Sequence, residues 1–184
     1  APWDGFVVHW SGTVYPCSII CHDACASSLV LGNLRETTLT AINDGEPLRA
    51  LHRRYLAGDF SGLCCAHCPK AEICGSYLDR SATPSRAGDP DRLYPVTRLE
   101  VSLTDKCNML CIMCSKTTRQ ENPPGLGRRG YIDTGLLSHA LRDFRELAGD
   151  RGLVALHWVG EPTLHPDLPA ILRVIDGLGL GFAL

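Results

Sequence analysis

Three cysteines in one short run, Cys107, Cys111 and Cys114, have residue types and a spacing that could support metal chemistry. Soft thiolates select iron-sulfur clusters, zinc or copper(I). A cubane cluster usually takes four cysteine ligands, so three thiolates leave one iron open, as catalytic zinc sites leave one position open. An iron with an open position can bind a small molecule. The run therefore predicts a catalytic cluster, and a structural zinc or disulfide site is the alternative.

The residues before this run predict a β-strand. Leu99, Val101 and Leu103 alternate with polar residues over Arg98–Thr104, which is the pattern of a half-buried strand. The three cysteines then follow the carboxyl end of that strand. Barrel enzymes place their chemistry at this end of their strands.

The residues after the run predict further α/β units. Helical periodicity of Leu136, Leu137, Ala140, Leu141, Phe144 and Leu147 indicates a helix with Asp133 or Thr134 as N-cap. A strand over Leu153–Val159, a second helix opening at Pro166 and a third strand over Gly181–Leu184 follow. This βαβα order predicts an α/β fold with parallel strands.

Two segments together resemble the radical S-adenosylmethionine (SAM) superfamily. They are the run CNMLCIMC at 107–114 and the segment VGEPTLHPDL at 159–168, which is similar to the superfamily's GGEP segment. The resemblance implies a four-iron, four-sulfur cluster on Cys107, Cys111 and Cys114, with SAM chelated by the fourth iron. It also implies reductive cleavage of SAM to a 5'-deoxyadenosyl radical that abstracts hydrogen from a substrate. The chemistry then belongs to the cofactor.

The resemblance also assigns SAM contacts. Gly160 would let the backbone approach SAM closely, Glu161 would accept hydrogen bonds from its ammonium group, and Pro162 would stiffen the turn. Met113 stands where the family usually has an aromatic residue against adenine, and Val159 replaces the family's first glycine. A polarizable Met can still lie against a ring. The alternative for Glu161 is an ordinary solvated loop carboxylate.

Seven of the ten cysteines lie in the amino-terminal half, at 17, 21, 25, 64, 65, 68 and 74. Their order, with helical segments near 38–42 and 47–56, resembles that of the SPASM and twitch domains, which bind auxiliary iron-sulfur clusters in radical SAM enzymes. The resemblance implies one four-iron cluster on Cys17, Cys65, Cys68 and Cys74.

Two departures from the SPASM pattern favour a twitch-like domain with a single cluster: Ala1 and Leu78 stand where the family has cysteines. The spacing leaves other ligands open, because Cys21, Cys25 or Cys64 could replace one of the four. A zinc knuckle is the alternative, with His22 or His67 as possible further ligands.

Composition excludes several classes of function. A net charge of -2 with 21% charged residues gives no electrostatic footprint for nucleic acid. No window approaches the ~20 apolar residues that span a bilayer, and residues 1–10 lack a signal-peptide pattern. Because the cysteines cluster at metal-ligand spacings in a chain that is 45% hydrophobic, we expect reduced thiols and a cytoplasmic location.

These patterns predict three regions: a SPASM/twitch-like domain over 1-79, a linker over 80-96, and radical SAM βα units over 97-184. A complete barrel takes roughly 250 residues, so we expect a partial barrel, a fragment of a longer enzyme, and no activity from the fragment alone.

The expected function is that of a radical SAM enzyme that modifies a peptide or protein and receives electrons from a donor such as flavodoxin or ferredoxin. Two alternatives remain open: a non-catalytic iron-sulfur electron carrier and a zinc-stabilised interaction module.

Overall fold

The structure is a computed structural model that describes residues 3–18, 29–67, 95–109, 111 and 130–184. Within them, a six-stranded mixed sheet has the order β3-β2-β1-β4-β5-β6. The strands are β1 (Gly5–Val8), β2 (Thr13–Tyr15), β3 (Gly32–Asn33), β4 (Arg98–Val101), β5 (Leu153–Ala155) and β6 (Gly181–Ala183). The α/β fold class is confirmed; the partial barrel stays a prediction.

The carboxyl half of the sheet is parallel. β4 pairs in parallel with β5, with Leu99 opposite Val154, and β5 pairs in parallel with β6, with Val154 opposite Phe182. The predicted parallel arrangement of these three strands is therefore confirmed. Parallel neighbours end at the same edge of a sheet, so the segments after β4 and β5 leave the sheet side by side.

The amino-terminal strands extend the same sheet. β1 pairs in parallel with β4, with Phe6 opposite Leu99, and β2 and β3 continue antiparallel beyond it. The carboxyl end of β1 consequently lies at the edge where β4 and β5 end. The predicted boundaries at 79 and 97 stay predictions, but described strands from both sides of them form one sheet.

Two helices follow β3. α1 (Leu39–Asn43) begins at Thr38, whose Oγ1 accepts a hydrogen bond from the backbone N–H of Ala41. α2 (Glu46–Leu56) has a proline in its first turn, where the missing N–H costs no helical bond. Both helices lie where the sequence indicated helical segments.

Two further helices cover one face of the sheet. α3 (Thr134–Ala148) starts at Asp133, whose carboxylate accepts a hydrogen bond from Leu136 N at 2.7 Å. This contact decides between the two N-caps that the sequence left open. α4 (Leu168–Gly177) begins two residues later than predicted, because the chain from Pro166 first forms a turn.

The sheet separates two cores because side chains alternate between its faces. The helix-side core contains Phe6, Val8, Leu99, Val101, Val154 and the buried faces of α1, α3 and α4. The opposite face carries a smaller cluster that we call the thiol-side core: Trp3, Val7, Tyr15, Leu29, Leu51, Tyr55, Leu63 and Cys65, with Cys17, Leu56, Phe60 and Trp158 packed against it.

The strand predicted over Leu153–Val159 is shorter in the structure. β5 ends at Ala155. Leu156 N still donates to Ala183 O of β6 at 2.9 Å, but the following residues leave the sheet, and Val159 O accepts a hydrogen bond from the Ser102 hydroxyl. A strand continuing to Val159 predicts His157 as a barrel-interior residue, but His157 is exposed because β5 ends before it.

No helix in the described part of the chain combines the length and the apolar character needed to cross a membrane.

Candidate metal and cofactor site

The cysteine-containing loop is closed at its base by hydrogen bonds after β4. Thr104 Oγ1 donates to Gly130 O at 2.6 Å, and Asp105 Oδ1 accepts from Gly130 N at 2.9 Å. Thr104 also forms an isolated antiparallel bridge with Tyr131. The chain therefore leaves the carboxyl edge of the sheet after Lys106 and returns to it at Gly130.

The first two predicted cluster ligands lie at this edge. Cys107 and Cys111 are both exposed, and Cys107 Sγ accepts a hydrogen bond from Met109 N at 3.4 Å. Exposed thiols at the carboxyl end of a strand suit a cluster that must reach a small molecule. Cys114 and Met113 lie outside the described residues.

The residues Gly160, Glu161 and Pro162, which we call the GEP turn, lie directly against the segment that leads into Cys107. Glu161 N donates to Lys106 O at 2.8 Å. Parallel strand order predicts that the segments after β4 and β5 lie side by side, and this contact places the GEP turn beside the segment that leads into Cys107.

Gly160 has a structural reason for being glycine. Its φ is +87°, a conformation that side chains disfavour, and a Cβ placed on it would overlap Thr104 O. Both constraints come from packing against the continuation of β4. The close approach of Gly160 to SAM stays a prediction.

The Glu161 carboxylate is held by its own turn. Its Oε1 accepts hydrogen bonds from the Thr163 hydroxyl at 2.6 Å and from Thr163 N at 3.1 Å. These donors, the hydroxyl first, hold the pKa of Glu161 below its ordinary value because they stabilise the ionised form. Pro162 begins the short helical turn Pro162–Leu164, which Glu161 caps.

Lys106, Tyr131 and His165 pack one against the next beside the GEP turn. The Lys106 ammonium lies 4.1 Å from the centre of the Tyr131 ring, and Tyr131 meets His165 edge to face. His165, left unassigned by the sequence, is buried. Its Nδ1 accepts from Asp167 N, so the proton lies on Nε2, which donates to Ile132 O at 3.2 Å. His165 is thus a structural residue.

The auxiliary set, Cys17, Cys65, Cys68 and Cys74, is described for its first two members. Both belong to the thiol-side core, although they are far apart in sequence. Cys65 is buried, and its Sγ lies 2.9 Å from the Tyr55 hydroxyl oxygen. Cys68 and Cys74 lie outside the described residues, as do the alternative ligands Cys21 and Cys25.

Within the described ranges, no three His, Cys, Asp or Glu side chains gather in a group that could hold a metal ion. Each predicted cluster has at least one ligand outside those ranges: Cys114 in one set, and Cys68 and Cys74 in the other. Two described cysteines in each set cannot form a group of three by themselves.

The sequence motifs do not identify Trp158, which links two distant parts of the chain. Its indole N–H donates to Ser18 O at 2.7 Å, across 140 positions of sequence. No local sequence pattern indicates a contact between residues so far apart in the chain. The signal in the sequence is that Ser18 follows Cys17 and that Trp158 shortly precedes the GEP turn.

Fold and site together define an α/β protein with two exposed thiols, Cys107 and Cys111, after β4, and two further thiols, Cys17 and Cys65, at the thiol-side core. A family model described as an iron-sulfur cluster-binding domain, SPASM, matches residues 1–69. That domain binds iron-sulfur clusters and is typical of radical SAM enzymes. No curated protein and no solved structure matches the chain.

Proposed function

We propose that this chain is part of a radical SAM enzyme with an auxiliary iron-sulfur site. The observation that carries the proposal is the hydrogen bond from Glu161 N to Lys106 O, because it holds the GEP turn against the residue that precedes Cys107. Two sequence motifs that resemble one superfamily are neighbours at the carboxyl edge, although a helix and a strand separate them along the chain.

The donor set fits a four-iron cluster with one open iron. Cys107, Cys111 and Cys114 supply three soft thiolates, and the first two are exposed at the sheet edge. When bound, the cluster and SAM supply an electron and a 5'-deoxyadenosyl radical for hydrogen abstraction.

The residues of the GEP turn orient SAM in this proposal. Glu161 accepts hydrogen bonds from its ammonium group, and the Thr163 donors keep the carboxylate ionised for that role. Gly160 and Pro162 fix the path of the backbone. The resemblance to the radical SAM superfamily assigns Met113 to the adenine of SAM.

The auxiliary set holds a second four-iron cluster in this proposal, with Cys17, Cys65, Cys68 and Cys74 as ligands. The match of residues 1–69 to a cluster-binding domain supports it, and so does the shared location of Cys17 and Cys65 in one core. The proposed substrate is a peptide or protein, the electron donor a flavodoxin or ferredoxin, and the location the cytoplasm.

Iron analysis tests the cluster count. Anaerobic reconstitution of the chain is expected to give about eight irons, because two clusters of four are proposed. Changing Cys107, Cys111 and Cys114 together to Ala should halve that number. The control is Ser138→Ala, within α3, where the Ser138 hydroxyl donates to Thr134 O; it should leave the iron content unchanged. Iron loading that the triple change leaves intact would contradict the proposal.

Electron paramagnetic resonance tests the open iron. SAM added to the reduced protein is expected to shift the signal of one cluster, because the proposed three-cysteine cluster alone has an open coordination position. Glu161→Gln should weaken this response and leave the iron content unchanged. Signals that stay constant in excess SAM would favour the second candidate.

That second candidate is a non-catalytic electron carrier. The electron-carrier function is favoured because contacts within the protein already account for the residues of the GEP turn. A Cβ at Gly160 would overlap Thr104 O, and the Glu161 carboxylate caps the turn by accepting from Thr163 N. Neither explanation needs SAM, so the response to SAM decides between the two functions.

A further inference from the structure

Trp158 joins the two predicted cysteine sites. Its indole N–H donates to Ser18 O at 2.7 Å, and Ser18 is the residue after Cys17. On its other side Trp158 precedes the GEP turn by two residues. The Trp158 side chain therefore contacts the chain directly beside one proposed ligand, and its backbone leads into the proposed SAM site.

The Trp158 ring is fixed by aromatic neighbours. Its centre lies 6.0 Å from that of Tyr15 and 6.1 Å from that of His9. The ring also packs against the thiol-side core, which contains Cys65, and Cys17 packs against the same core. A change in the packing around Cys17 or Cys65 can consequently reach Trp158 through the core against which it packs.

The path from Trp158 to the cysteine loop is held at three consecutive residues. Val159 O accepts from the Ser102 hydroxyl at 2.8 Å, Gly160 lies against Thr104 O, and Glu161 N donates to Lys106 O at 2.8 Å. Because each of these residues is held by a contact, a shift of Trp158 moves the GEP turn relative to Lys106.

We propose that Trp158 is a positioning residue that couples occupation of the auxiliary thiol set to the order of the GEP turn. Ligation of Cys17 fixes the Ser18 carbonyl, the fixed carbonyl orders the indole, and the ordered indole holds Val159, Gly160 and Glu161 against Lys106. Such a contact between two sites is a coupling free energy and acts in both directions. This inference rests on the auxiliary-cluster part of the proposed function.

Hydrogen exchange of the Glu161 amide tests the coupling without SAM. The amide is protected by its bond to Lys106 O, so its exchange rate measures the opening of the turn. In a background with Cys107, Cys111 and Cys114 changed to Ser, only the auxiliary set can load. Reconstitution with iron and sulfide is expected to slow Glu161 exchange by about 5-fold or more, the lower end of usual allosteric couplings.

Two variants and one matched control identify the path. Trp158→Phe keeps an aromatic ring but removes the donor to Ser18 O, and Ser102→Ala removes the anchor of Val159. Each is expected to abolish most of the slowing. Trp10→Phe should keep it, because Trp10 packs against the helix-side core and its indole N–H has no hydrogen-bond partner among the described residues.

Slowing that persists unchanged in both Trp158→Phe and Ser102→Ala overturns the coupling, and so does iron bound to the auxiliary set without any slowing in the parent. An auxiliary set that takes up no iron overturns the auxiliary-cluster proposal and this inference with it. If reconstitution slows Glu161 exchange in the triple-Ser background while the chain with all its cysteines fails to bind SAM, the result overturns only the SAM assignment. Circular dichroism of each variant shows whether it has folded.

Discussion

Gly160 combines two constraints whose energies can be measured separately. A side chain at this position meets an unfavourable φ of +87° and a backbone oxygen, that of Thr104, in the place of the new Cβ. Gly179 has a φ of +64° but nothing within 4 Å of its Cβ position. The two glycines therefore form a matched pair in which one of the constraints is absent.

We expect Gly179→Ala to lower the free energy of unfolding by about 1–2 kcal/mol, the usual cost of a left-handed residue. Gly160→Ala should cost more than this, because Thr104 O must also move. Chemical denaturation of both variants measures the difference. Equal costs would show that the turn moves away from Thr104 easily, and the close contact would then carry no stability.

Glu161 titrates below its ordinary range because Thr163 donates two hydrogen bonds to its carboxylate, which lowers the pKa. A carboxyl group with a lowered pKa in the folded state stabilises that state at pH values above its unfolded pKa. The contribution is lost as the pH falls through the lowered folded pKa.

Replacing Thr163 with Val removes the hydroxyl donor and keeps the backbone donor. We expect the pKa of Glu161 to rise toward its ordinary value in Thr163→Val, measured by NMR titration of its side-chain carboxyl carbon. An unchanged Glu161 titration would show that the backbone N–H alone lowers this pKa.

Among the secondary-structure elements, α3 is linked to α1 by a hydrogen bond of Asp143. Its Oδ2 accepts a hydrogen bond from Leu39 N at 2.8 Å, at the first residue of α1. A carboxylate at this place satisfies an N–H that has no partner within the helix and interacts favourably with the helix dipole. The contact links the residues matched by the SPASM model to a helix outside that match.

We expect Asp143→Ala to reduce stability by about 0.5–2 kcal/mol, as for the loss of an N-terminal cap. Glu146→Ala, at an exposed position of the same helix, controls for the change in helix propensity and charge. Thermal unfolding of the two variants gives the comparison. A loss no larger in Asp143→Ala than in Glu146→Ala would mean that α1 keeps its position without the carboxylate.

At the scale of the whole molecule, the sheet joins both ends of the chain. β1 pairs with β4 along the full length of both strands, and Phe6 and Val8 are buried with Leu99 and Val101 in one core. Removing β1 would leave the backbone groups of β4 unpaired at a new edge and expose apolar side chains, which favours aggregation.

A polypeptide that starts at residue 95 is therefore expected to aggregate or to remain unfolded, whereas we expect the 184-residue chain to fold, because it keeps β1 beside β4. Gel filtration and circular dichroism of the two proteins make the comparison. A monomeric, folded protein of residues 95–184 would instead support the predicted boundary at 97 as the start of an independent domain.

Local sequence patterns predict the elements and the direction of the strands after residue 95, except for the carboxyl ends of β4 and β5. Alternating Leu99 and Val101, the periodic apolar face of α3 and the glycine-rich ends of the elements all encode local structure in short spans. Right-handed crossovers between parallel strands then place the residues after β4 and β5 at one edge. That is why the neighbourhood of the GEP turn and the Cys107 segment could be predicted.

The tertiary structure alone decided three other features: the pairing of β1 with β4, the early end of β5 at Ala155, and the contact of Trp158 with Ser18. Each depends on partners far apart in the chain, and the sequence carries no periodic signal for such pairs. The sequence predicts that β5 continues to Val159, because residues 153–159 have strand-forming side chains. It ends early in the structure because Ser102 and the thiol-side core draw Val159 and Trp158 out of the sheet.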